Sequence, residues 1–196
     1  MTVMLELPHR AAYADYLAVE QNSDVRHEFI DGIIIAMAGG SFEHSMIAMR
    51  FGQLLGNRLG GSCFAHSNDT RFWIESTQRG RYADGSIICG PPMHAEHDKY
   101  AAINPVVVFE VLCPSTQDDD DGDKRIDWQS LPSLEAYVLI SQDARRVKIY
   151  RRERNEWTMH VYRDGDPFAL PRLTSEISVD EVYDRILDAD GRSLMQ

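Results

Sequence analysis

Pro105-Val106-Val107-Val108-Phe109-Glu110-Val111-Leu112-Cys113-Pro114 is an apolar run closed by a proline at each end. Its β-branched, almost unbroken apolar character predicts a strand buried on both faces, as in a sheet covered on each side. One carboxylate, Glu110, interrupts it. A carboxylate there loses much of its hydration, which is costly unless a cation, a hydrogen-bond network or a proton compensates. Glu110 is therefore expected to carry function, with partners elsewhere in the chain.

The neighbouring elements follow from periodicity and punctuation. Residues 13–20 form a short helical stretch. Residues 26–30 and 33–37 flank Asp31-Gly32, a strong hairpin signal. Gly39-Gly40-Ser41 breaks the second of these strands, and Ser41 is a plausible N-cap with Glu43 and His44 in the first turn. That helix runs to about residue 59 with Ile47, Phe51, Leu54 and Leu55 at helical spacing, and Gly60-Gly61 ends it. Short strands at 62–66, 71–75 and 84–89 and a polar loop through Tyr100 lead to the Glu110 strand. After it come Pro114-Ser115-Thr116, the acidic run Asp118-Asp119-Asp120-Asp121-Gly122-Asp123, and a helix containing Lys124 and Trp128. Residues 136–140 form another buried strand, and 146–151 and 157–163 alternate like a meander. Residues 178–187 predict a closing helix with Ser178 as cap and Glu181 at its third position. This order of strands and helices predicts an α/β or α+β fold with a mixed sheet. With no repeat, linker or internal boundary, residues 1–196 are expected to form a single domain.

Composition narrows the class. At 196 residues, with 43% hydrophobic and 26% charged, the chain can bury a sizeable core and resembles a globular protein, not a disordered one. It has no apolar run long enough for a bilayer and no signal-peptide pattern at its start, so the expectation is a cytoplasmic protein without a membrane partner. Cys63, Cys89 and Cys113 form no C-x-x-C pair, and their odd number favours reduced, buried thiols over a disulfide framework. A net charge of -11 argues against coating nucleic acid through a basic surface. It leaves open a local basic groove, a groove assembled across a homodimer, or metal ions bridging acids to phosphate.

The best candidate partner for Glu110 is Asp84, at the start of the apolar stretch Gly85-Ser86-Ile87-Ile88-Cys89. Two carboxylates converging from neighbouring strands repel each other unless a divalent cation sits between them. Hard oxygen donors with no Cys or His cluster favour Mg²⁺ or Mn²⁺ over Zn²⁺. The alternative is that Asp84 caps a turn and Glu110 meets an arginine. Lys124, after the acidic run, could orient or deprotonate a water or stabilise charge on a phosphate. Taken singly, a lysine after such a run is more often a solvated residue of a helix whose acidic start complements the dipole.

Other motifs fail. Counted back from Gly122, a calcium loop would begin at Gln117 and end on Trp128 where a glutamate is required. His27-Glu28 begins a zincin motif, but Asp31 stands where its second histidine belongs. His94-Ala95-Glu96-His97-Asp98 lies in a polar loop and is expected to be solvated. The phosphate loop, dinucleotide fingerprint and nucleophile elbow are all missing from the sequence. Arg145, Arg146, Lys148, Arg151, Arg152 and Arg154 form the one basic stretch, suited to touching phosphates or to protecting a sheet edge.

Several segments, taken in order, carry a resemblance. They are Arg26-His27-Glu28-Phe29-Ile30-Asp31-Gly32, Glu43-His44, Tyr82-Ala83-Asp84, Glu110-Val111-Leu112-Cys113-Pro114-Ser115-Thr116 and Gly122-Asp123-Lys124. Leu131-Pro132-Ser133-Leu134-Glu135-Ala136-Tyr137-Val138-Leu139 completes the set. Together they resemble the Uma2 family of the PD-(D/E)xK restriction-endonuclease-like superfamily, over about residues 13–183. The resemblance implies a central mixed sheet flanked by helices and metal-dependent phosphodiester hydrolysis. It places the metal-binding acids at Asp84 and Glu110. The usual lysine position, two after Glu110, is Leu112 here, and Lys124 matches the lysine that replaces it on the following helix. Ala83 stands where the family usually has proline. Glu28 and His44 also match family positions. Glu28 is then a further ligand or water-orienting acid, or else a hairpin residue paired to Arg26 or Arg50. His44 is a site group in the first turn, or else a capping or core histidine.

The expected function is thus a Mg²⁺- or Mn²⁺-dependent endonuclease acting on nucleic acid, with DNA the first expectation and RNA not separable from it. The rival is a non-catalytic module using the same fold for dimerisation or partner binding.

Overall fold

The computed structural model describes residues 10–113, 117–154, 156–187 and 190–193. Its first elements are α1 (Tyr13–Asn22), β1 (His27–Ile30), β2 (Ile33–Ala36), α2 (Phe42–Gly56), β3 (Cys63–Ser67), β4 (Arg71–Ile74) and β5 (Arg79–Tyr82). There follow β6 (Gly85–Cys89), β7 (His94–Ala95), β8 (Asp98–Ala102), β9 (Pro105–Leu112), α3 (Gln117–Asp120) and α4 (Asp123–Ser130). The chain continues with β10 (Ala136–Ser141), β11 (Val147–Glu153), β12 (Glu156–Tyr162), β13 (Pro167–Phe168), β14 (Ile177–Ser178) and α5 (Val179–Val182). Pro114, Ser115 and Thr116, part of the segment quoted for the family resemblance, lie outside the described residues.

β9 is buried along its whole length. It lies inside a six-stranded sheet of order β12-β11-β10-β9-β6-β3, parallel to β10 and antiparallel to β6. Strand alternation divides its side chains between two cores. Val107, Phe109 and Val111 pack with Ile47, Phe51 and Leu55 of α2 and with Val179 and Val182 of α5. Val108 and Leu112 face the other way, toward Trp128 of α4 and toward Phe72 and Ile74 of β4. Glu110 shares that second face.

β4 belongs to a second six-stranded sheet, of order β2-β1-β5-β4-β8-β7. The outer core of this sheet joins Tyr16 of α1 to Phe29 and Trp73. The sequence pattern suggests one central sheet and a polar loop through Tyr100, yet β7 and β8 form within that loop and complete the second sheet. The reason is internal pairing of polar groups: buried Asp98 accepts from Tyr13 Oη at 2.8 Å, Arg71 at 3.1 Å and the Tyr100 N–H at 2.9 Å.

Local signals account for the turns and caps. Asp31 and Gly32 both take positive φ (52° and 80°), as a tight hairpin with the right twist requires. Ser41 Oγ accepts from the His44 N–H at 3.1 Å and starts α2. The Ser178–Glu181 capping box forms, but α5 spans only Val179–Val182, shorter than the expected helix. Tyr183 Oη donates to Ser141 O at 2.6 Å, fastening this segment to β10, and Arg185 takes a left-handed φ of 62°.

One expectation is overturned. Cys63 and Cys89 are joined in a disulfide, not held as reduced thiols. They lie directly opposite each other on β3 and β6, an adjacency that a sequence separation of 26 conceals. Cys113 takes no part in the bridge. Among the described residues no helix is long and apolar enough to cross a membrane.

Candidate active site

The β5–β6 turn carries Asp84 past the end of the β6–β9 ladder, whose last pair at this end is Gly85 with Phe109. Glycine is required after Asp84, because a Cβ at Gly85 would fall 2.3 Å from the Phe109 ring. Beyond that pair, side chain replaces backbone: Asp84 Oδ2 accepts from the Val111 N–H at 2.7 Å. In return the Asp84 N–H donates to Glu110 Oε2 at 3.2 Å. The two acids are thereby locked to each other's strands.

Lys124 enters from α4, buried at 7% exposure. Its Nζ is 3.0 Å from Glu110 Oε1, 3.5 Å from Asp120 Oδ1 and 3.6 Å from Glu28 Oε1. Glu110 therefore meets a lysine, and Lys124 is not a solvated helix residue. Glu28 points inward from β1, accepting from Arg81 at 2.8 Å and from the Tyr82 N–H at 3.0 Å. Neither Arg26 nor Arg50 is its partner; those arginines pair with Asp69 and Asp184. His44 Nε2 is 3.0 Å from Asp84 Oδ2, so its ring faces the site while its N–H is capped by Ser41. Gly40 leaves room for that ring, since a Cβ there would come within 2.6 Å of His44 Nδ1.

The structure thus brings together all five sequence-derived candidates, Glu28, His44, Asp84, Glu110 and Lys124. Sequence reasoning missed Arg81, which is fully buried and bridges Glu28 to Asp127, each at 2.8 Å. Asp127 is also fully buried and takes Arg79 at 3.2 Å. A signal existed: Lys124, Asp127 and Trp128 share one helix face, so a charged pair flanks the tryptophan on the buried side. The His94–Asp98 segment contributes nothing here, and the His97 ring packs edge-on against Tyr13 and Trp73.

Electrostatics follow from three carboxylates, Glu28, Glu110 and Asp120, around the Lys124 ammonium, with Asp84 beside Glu110. Burial pushes the Glu110 carboxyl well above its usual range; Lys124 opposes this, while Asp120 and Asp84 reinforce it. Burial alone would lower the Lys124 value, but Glu110, Glu28 and Asp120 outweigh it and hold the proton on. Burial also raises Glu28, yet Lys124, Arg81 and the Tyr82 N–H bring it below the ordinary carboxylate range. The hydrogen bond to Asp84 raises His44, exceeding the opposing effect of burial.

The donor set suits a hard divalent ion. Glu110 Oε1 is buried and takes no aligned hydrogen bond from a described residue, with the Lys124 ammonium its ion-pair partner. Among the described residues no three His, Cys, Asp or Glu side chains form a ready-made cage. Mg²⁺ does not need one, since it is commonly held by one or two carboxylates together with water and substrate phosphate.

Large mixed sheets flanked by helices, with two acids and a lysine gathered at a strand end, define a mixed α+β protein. A solved structure with the same fold is described as a "putative nuclease belonging to DUF820" from Anabaena variabilis. It has a TM-score of 0.68 and 16% identity, with 84% of this chain and 93% of that one covered. The chain belongs to the Uma2 family, described as "Putative restriction endonuclease", which matches residues 13–181. Two uncharacterised proteins of Synechocystis sp. are similar along most of their length. One is 32% identical over 171 residues, 86% of this chain and 89% of the relative. The other is 31% identical over 140 residues, 71% of this chain and 79% of the relative.

Proposed function

We propose that this chain hydrolyses phosphodiester bonds of nucleic acid with Mg²⁺ or Mn²⁺ held by Asp84 and Glu110. The observation that supports this most is the convergence of the two acids with Lys124 Nζ, 3.0 Å from Glu110. When bound, the divalent ion supplies Lewis-acid stabilisation of phosphate charge and acidifies a water. Lys124, held beside three carboxylates, orients the attacking water or stabilises charge on the phosphate. Glu28 is held by Arg81 and the Tyr82 N–H, and its Oε1 lies 3.6 Å from Lys124 Nζ, so Glu28 positions Lys124. His44 holds the Asp84 carboxylate in place through Oδ2.

The test is nicking of supercoiled and single-stranded DNA, with RNA in parallel, by wild type and Asp84→Ala in Mg²⁺ or Mn²⁺. Cleavage by wild type and loss of it in the variant is expected; equal cleavage by both removes Asp84 from the mechanism. Isothermal titration with Mn²⁺ separates the non-catalytic alternative. A site lost in Glu110→Gln supports hydrolysis, and absence of binding to wild type supports a partner-binding module.

A further inference from the structure

The register of the larger sheet places a second group of charges on the face that carries Glu110. Glu110 is paired with Leu139, Leu139 with Lys148, and Lys148 with Val161. One row further along, Leu112 is paired with Ser141, whose N–H donates to Arg146 O. Arg163 directly follows the Val147–Tyr162 pair and so falls beside Arg146. Apart from Glu110, the residues of these two rows line, with Asp121, a cavity of about 220 Å³. Two strand spacings place Lys148 roughly 10 Å from Glu110 across the sheet.

Charge in this cavity is unbalanced. Lys148 pairs with Asp121, which also accepts from Tyr150 Oη at 2.7 Å and lies 3.8 Å from Arg125 Nε. Neither the half-buried Arg146 nor the exposed Arg163 forms an ion pair with a described residue. Three cations therefore face one carboxylate inside a chain whose net charge is -11. Guanidinium groups present forked donors that match phosphate oxygens. Leu112, Leu139 and Val161 give the cavity an apolar floor that raises the strength of such contacts.

We infer that this cavity is a subsite for a backbone phosphate of the nucleic-acid substrate, flanking the phosphate to be cleaved beside Glu110. The inference rests on the hydrolysis proposed above and adds Arg146 and Arg163 as the residues that grip the strand. It also supplies the local basic element that the overall acidity of the chain otherwise lacks.

The experiment uses the full chain, labelled single-stranded and duplex oligonucleotides in EDTA, and fluorescence anisotropy over a range of salt. Wild type is compared with Arg146→Ala/Arg163→Ala and with Arg163→Glu, a substitution at an exposed position that leaves folding intact. The double variant is expected to bind at least about tenfold more weakly, with the slope of log affinity against log salt reduced by about 1 to 2. Unchanged affinity and slope in both variants overturn the subsite. Inorganic phosphate that competes as strongly as oligonucleotide, with all three proteins equal, overturns it in favour of a free-anion site. Metal-dependent cleavage with equal affinities sinks the subsite alone. The expected loss of binding from a wild type that does not cleave upholds the subsite while the proposed hydrolysis falls.

Discussion

Lys124 reaches from α4 back to the central strand and sets its ammonium 3.0 Å from Glu110 Oε1. The acidic run and a helix start separate the two in the chain, yet the fold brings them into direct contact. Asp120, one helical turn earlier, and Glu28, from the other sheet, complete its surroundings at 3.5 and 3.6 Å.

Removing that ammonium leaves buried acids without their cation. Lys124→Met is expected to lose about 3 kcal/mol of stability in EDTA near neutral pH. The loss should shrink in acid, where Glu110 takes up a proton, and Mn²⁺ should restore part of it. Urea denaturation with and without Mn²⁺ measures all three, and an equal loss at every pH would refute the electrostatic origin.

Arg81 is the structural counterpart on the Glu28 side. Arg81→Met strands Glu28 and Asp127 together and is expected to cost about 3–5 kcal/mol. Arg81→Lys should recover little, because one ammonium cannot present the two divergent edges of a guanidinium. Chemical denaturation of both variants checks this, and full rescue by lysine would count against the bridging role.

Asp98 fixes the second sheet and sets a pH dependence. Burial pushes its carboxyl up, but the Tyr100 N–H, Tyr13 and Arg71 more than offset this and hold it below 3.8. A depressed folded value means that its stabilisation is fully present above about pH 3.8 and is lost as pH falls through the lower folded value. Asp98→Asn should melt below wild type at neutral pH, with the gap closing in strong acid. Melting curves across that range provide the test; a gap independent of pH would exclude the linkage.

The Cys63–Cys89 bridge closes a loop of 26 residues by sequence separation and is expected to contribute about 3 kcal/mol. Reductant should lower the denaturation midpoint of wild type and leave Cys63→Ser/Cys89→Ser unmoved. Thiol titration of the unfolded chain should find two more groups after reduction than before.

What could be read from the sequence was whatever depends on near neighbours in the chain. The unbroken apolar run made β9 a strand buried on both faces, and Glu110 within it an acid in need of partners. Asp31-Gly32 specified a hairpin, Ser41 a helix start, and Ser178 with Glu181 a capping box. The ordered motifs pointed to Asp84, Lys124, Glu28 and His44 as companions of Glu110. Tertiary structure alone decided which strands pair beyond that hairpin. It separated two sheets, turned an apparent polar loop into β7 and β8, and set Cys63 opposite Cys89. It also chose Arg81, not Arg26 or Arg50, as the partner of Glu28, and aligned Arg146, Lys148 and Arg163 on the Glu110 face. Periodicity and capping act within a few residues and are written locally. Register and buried charge pairing join segments far apart in the chain, and they are settled only when the sheets close on a common core.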